Sequence, residues 1–145
     1  MNRATPMMRE FATRLIAFES RGKKSAGAKI PPGFAVCEKL RPHLATLMGT
    51  AGYGALLSRA LALARGEVPR LGPVQVQADG SVAGLEESEA PAEREKLVRG
   101  SALVLAHLLG MLEAFIGENL MLRLLSDVWP KLTMSGLFFD HEDSK

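Results

Sequence analysis

Cysteine, tryptophan and tyrosine each occur once in this chain, and aromatic residues make up only 6% of it. The lone Cys37 rules out an intramolecular disulfide. With no positively charged start leading into an apolar segment, it points to the cytoplasm. With so few rings available, the core must be assembled from Leu, Ala, Val and Met, a mixture that favours helices over sheets. The three histidines and the scattered acids supply no nucleophile with its base, no facing carboxylates and no metal-ligand spacing. The expectation is therefore a protein that is not an enzyme and carries no cofactor or metal.

Long uninterrupted apolar runs are missing as well. The most apolar stretch, Ser101 to Trp129, is broken by His107, Glu113, Glu118, Asn119 and Arg123. A membrane span needs roughly 20 predominantly apolar residues, and a clean run such as Leu108 to Leu112 is far shorter, so no span is expected. Two glycine-rich stretches also fail as nucleotide loops. Gly22-Lys23-Lys24-Ser25 lacks the earlier glycine and the preceding strand of a phosphate loop, and Gly49 to Gly54 has its glycines in the wrong order for a dinucleotide fingerprint.

The charge, by contrast, is abundant and divided. Residues 1–72 hold twelve lysines and arginines against four acids, a net of +8; residues 73–145 hold six against twelve, a net of −6. Two halves of opposite sign attract each other within one domain, and a basic half also offers phosphate contacts to a nucleic acid.

A length of 145 residues fits one domain, 1–145, with room for a core. The pattern predicts an all-α compact bundle of five or six helices with one short β-hairpin. Thr5-Pro6 starts a helix that runs to about Arg21, with Met7, Met8, Phe11, Leu15 and Phe18 on its apolar stripe and Glu19 outside it. Residues 22–32 read as a flexible basic loop. Gly33 to Met48 keeps a helical period through Pro42, as one kinked helix. Gly49 to Gly54 is expected to turn into a further helix, about Gly52 to Arg65, ended by Gly66. Residues 70–91 hold the hairpin, with strands Val74 to Gln77 and Val82 to Leu85, and an acidic connection. A long core helix, covered on most sides, then runs to Gly117. A shorter one covers Glu118 to Val128, and residues 131–145 form a tail.

His107 interrupts the core helix and is expected as a buried histidine with its nitrogens satisfied. Were it exposed, it would suit phosphotransfer on a four-helix bundle; Gly110 follows it, but no nearby lysine does. Asp140, His141, Glu142 and Asp143 are metal-capable types in an unscaffolded tail, and no site is expected there.

The functional expectation is a non-catalytic adaptor or assembly domain that works through self-association, as a homo-oligomer, or through a protein partner. Its candidate surfaces are the shallow groove at Gly110 and Ala114, the Trp129 end, and the apolar triplet Leu137, Phe138 and Phe139. The alternative is nucleic-acid binding by the basic half, with Arg21, Lys23, Lys24, Lys29 and Arg41 as the contacts.

Overall fold

The computed structural model describes residues 5–21, 31–84 and 91–129. Among the described residues, five helices and a two-stranded hairpin form the fold: α1 Pro6–Arg21, α2 Pro32–Met48, α3 Thr50–Glu67, β1 Gln75–Val76, β2 Val82–Ala83, α4 Pro91–Ile116 and α5 Glu118–Val128. A 3-10 turn, Pro69–Leu71, links α3 to the hairpin. The flexible loop expected over 22–32 falls almost wholly outside the described residues, and so do the acidic run 86–90 and the tail 131–145.

Local chemistry sets the helix ends. The Met8 N–H donates to Thr5 Oγ1 at 3.2 Å, the side-chain cap that Thr5-Pro6 promised. Pro42 lies inside α2, and the Thr46 hydroxyl donates to its carbonyl at 3.0 Å. Gly49 alone separates α2 from α3, and Gly117 alone separates α4 from α5. Their dihedrals nearly coincide, φ 85° and ψ 153° against φ 90° and ψ 158°. Each N–H closes the helix behind it, onto Ala45 and Glu113, and each carbonyl receives the first N–H of the helix ahead, from Tyr53 and Met121. Positive φ favours glycine at these joints because a Cβ would crowd the carbonyl there.

Two expected boundaries shift. Gly52 and Gly54 are helical rather than part of a turn, because Gly49 by itself reverses the chain and α3 begins at Thr50. Gly66 does not stop α3 either; the helix continues to Glu67 and gives way at Val68, just before Pro69. The hairpin is real but shorter than expected, pairing only Gln75 with Ala83 and Val76 with Val82. It is held to the bundle: Val74 is fully buried, the Arg41 guanidinium donates to the Asp79 carbonyl at 3.2 Å, and that of Arg65 donates to the carbonyls of Leu71 and Val74.

The long helix α4 is the hub, packed by α1, α2 and α3. Val104, Leu105, Ala106, Leu108, Leu109 and Leu112 are wholly removed from solvent, each of the larger side chains contributing about 1.5–3 kcal/mol by burial. By length and composition α4 could cross a bilayer, but 72% of its most apolar window is buried inside the fold. At Gly33, α2 approaches it closely. A Cβ there would fall on the Ser101 carbonyl, and the Gly33 N–H donates to Ser101 Oγ at 3.1 Å. The Ser101 hydroxyl in turn donates to the Val98 carbonyl at 2.7 Å, so this buried serine is fully used.

The stripe on α1 is displaced from the one expected. Met8, Phe11, Ala12 and Leu15 are buried, but Met7 is 64% exposed and Glu19 is buried. The face continues from Leu15 to the position four residues on, and that position is a glutamate.

Candidate interaction surface

Contacts along α4 fix which ends of the helices lie together. Gly33 abuts Ser101, and the space for a Cβ on Gly100 is filled by Leu71, which follows α3 closely. The start of α2 and the finish of α3 therefore both lie beside the middle of α4. At 1.5 Å per residue, the run from Gly33 to Met48 spans about 23 Å and the run from Ser101 to Ile116 about the same. The Gly49 joint consequently shares one end of the bundle with the Gly117 joint.

That end is apolar and open. Phe115 is 70% exposed, Leu47 45% and Leu120 41%, with Ala114 also exposed and Met48 and Ile116 half-buried. The core helix was expected to be covered on most sides; it is covered from Leu103 to Leu112, and in its last turn Ala114 and Phe115 are exposed. Phe115 and Leu120 lie on either side of the single-residue Gly117 joint. Exposed Glu118 and Arg123, of opposite charge, sit on α5 beside them. Such a collection of large exposed apolar side chains is the kind of surface that marks an interaction site.

The other candidate residues fall elsewhere. Gly110 is buried and Ala114, one turn on, is exposed, so the pair straddles the boundary of the core. Trp129 is 4% exposed, and its indole N–H donates to Glu19 Oε1 at 2.6 Å. Lys39 Nζ donates to the same oxygen at 3.3 Å and lies 5.6 Å from the ring centroid of Trp129. The tryptophan is thus occupied within the chain, tying the end of α5 to α1 and α2. Leu137, Phe138 and Phe139 lie outside the described residues. Arg21 ends α1, but its side chain, like Lys23, Lys24 and Lys29, is outside them too. Arg41 is described, and its guanidinium is engaged by Glu38 at 2.9 Å and by the Asp79 carbonyl.

A second feature was not anticipated from sequence. Arg9 and Thr13 of α1, Glu67 and Val68 at the end of α3, and Arg99, Ala102 and Leu103 of α4 line a cleft of about 300 Å³. It continues past Pro69 toward Glu93 and Lys96. Arg9 closes one wall by bonding both carboxylate oxygens of Glu67, at 3.0 and 3.3 Å.

His107 lies one helical turn beyond Leu103. It is 1% exposed, as expected of a core histidine, but neither Nδ1 nor Nε2 has a hydrogen-bond partner. The expectation of a satisfied histidine is therefore corrected: it is buried, and neither ring nitrogen is hydrogen-bonded. Burial holds its pKa below the ordinary histidine value, the Glu67 carboxylate pulls it up, and the Arg9 guanidinium pushes it down.

Little reactive chemistry accompanies these features. Burial pushes the Cys37 thiol up to about 12, with the Glu38 carboxylate adding to the shift, so no thiolate nucleophile forms near neutral pH. Tyr53 is raised for the same reason and donates its hydroxyl to the Cys37 carbonyl at 3.2 Å. Among the described residues, no group of three or more His, Cys, Asp or Glu side chains could hold a metal ion. Compared with known protein families, curated proteins and solved structures, the chain matches none.

Proposed function

We propose that this protein is a non-catalytic helical assembly domain that pairs with a second copy of itself through the apolar end formed at the Gly49 and Gly117 joints. The observation that carries the reading is Phe115, 70% exposed at the end of a helix whose middle, Leu103 to Leu112, is buried. A two-fold interface places the same patch on both partners, so each residue must meet its own complement. Phe115, Leu120 and Leu47 are self-complementary as apolar side chains. Exposed Glu118 and Arg123, of opposite sign on one helix, can pair across a two-fold axis with Arg123 and Glu118 of the other copy.

The test is the mass in solution of the intact protein and of a Phe115→Glu, Leu120→Glu variant, by light scattering with circular dichroism alongside. The reading expects a mass twice the 15.6 kDa of the chain, falling to that of one chain in the variant with its helical signal unchanged. A monomeric parent protein defeats it. A monomer that purifies with nucleic acid and sheds it in salt would favour the basic half instead. Gly110→Leu is not a useful probe of docking, since that position is buried and a larger side chain tests the packing of α4.

A further inference from the structure

The unpartnered nitrogens of His107 call for an explanation, because a neutral imidazole still carries one N–H, and a buried donor without an acceptor is destabilising. The surroundings suggest what that cost permits. Two charged groups act on His107 from the helices packed against α4: Glu67 from the end of α3, which favours its protonation, and Arg9 from α1, which opposes it. On its own helix, Arg99 lines the same cleft two turns earlier. Glu67 is already committed, holding Arg9 through both oxygens.

We propose that His107 and the Arg9–Glu67 pair form an acid-sensitive latch that frees the first half of α1 from the bundle while the Glu19–Trp129 hydrogen bond keeps its far end attached. Above the ordinary histidine range the imidazole is neutral and Arg9 holds Glu67. Once protonated, the imidazolium gains a second N–H and a charge that the apolar core cannot solvate. It then competes with Arg9 for Glu67, the acid that favours its protonation, and repels Arg9 directly. The cleft between α1, α3 and α4 is where water enters when the pair parts. Separation there uncovers Met8, Phe11, Ala12 and Leu15, all buried at neutral pH. The other end of α1 has no reason to follow, because Glu19 is fixed there by Trp129 and Lys39.

Backbone hydrogen exchange on the full chain tests this, comparing about pH 7.5 with about pH 5.5 after correction for intrinsic exchange. The latch predicts that amides from Met8 to Leu15 gain about tenfold in exchange at the lower pH while α2 and α3 change little. His107→Phe, which keeps a ring of similar volume, should remove the acid effect, and His107→Leu serves if that variant does not fold. In the unsubstituted protein, the imidazole titration followed by NMR should have the same midpoint as the opening of α1. An acid effect that survives both replacements overturns the latch, as does loosening spread evenly over the bundle, no gain at all, or two midpoints that differ.

Discussion

The two ends of α1 are each held by a glutamate, yet in opposite ways. At one end Glu19, 6% exposed, receives the Trp129 indole N–H at 2.6 Å and the Lys39 ammonium at 3.3 Å. At the other, Glu67 of α3 meets Arg9 in the open, with both side chains 42% exposed. A charged hydrogen bond sheltered from water contributes about 1.5–3 kcal/mol, whereas an exposed ion pair contributes about 0–1 kcal/mol and is screened by salt. The difference teaches that α1 has a pinned end and a releasable end, decided by burial and not by the number of charges.

If burial governs, the largest loss in the molecule should come from a residue with no side chain at all. Gly33→Ala drives a methyl group into the Ser101 carbonyl and should cost about 3 kcal/mol or more in urea denaturation. Its onset can be followed through the Cys37 thiol, buried and unreactive in the native protein, which should label at much lower denaturant in the variant. Next comes the pinned end. Glu19→Ala strands the buried Trp129 N–H and should cost about 2 kcal/mol, while Glu19→Gln, which keeps an acceptor, should recover most of that. Equal losses for the two would mean that the indole hydrogen bond is not what fixes this end.

The acid effect ranks third. Because the folded pKa of His107 is depressed, the unfolded chain binds the proton more readily. Stability should then be complete above the ordinary value of 6.5 and fall as pH drops below it, levelling off only beneath the folded pKa. The falling limb in a series of urea midpoints should vanish in His107→Phe. Smallest of all is Glu67→Gln at the releasable end, with a loss of about 0.5–1 kcal/mol that shrinks in high salt. A larger, salt-insensitive loss would erase the contrast between the two ends.

Much of the fold was legible because helix ends are local chemistry. Thr5-Pro6 and Gly117 marked the ends of α1 and α4 correctly, since capping and positive φ depend on a few adjacent residues. The three glycines between Gly49 and Gly54 misled because composition does not say which of them takes positive φ; only Gly49 does. Glu19 carried a usable signal in its spacing of four from Leu15. Its partner Trp129 is 110 positions away in sequence, and no local pattern joins them. The open apolar end was equally hidden. Phe115 resumes the apolar pattern of α4 just after Glu113, and only the reach of the neighbouring helices leaves it bare.

The sequence by itself determined the helical class, the order of the elements, the hairpin and the Gly117 joint, because these follow from periodicity, capping and backbone sterics over short distances. Only the tertiary structure decided that Trp129 belongs to Glu19, that Phe115 faces water, and that His107 is buried without a hydrogen-bond partner, within the electrostatic influence of Arg9 and Glu67. Those outcomes depend on which residues of separate helices arrive at the same place, and that is set by the close packing of whole faces on α4.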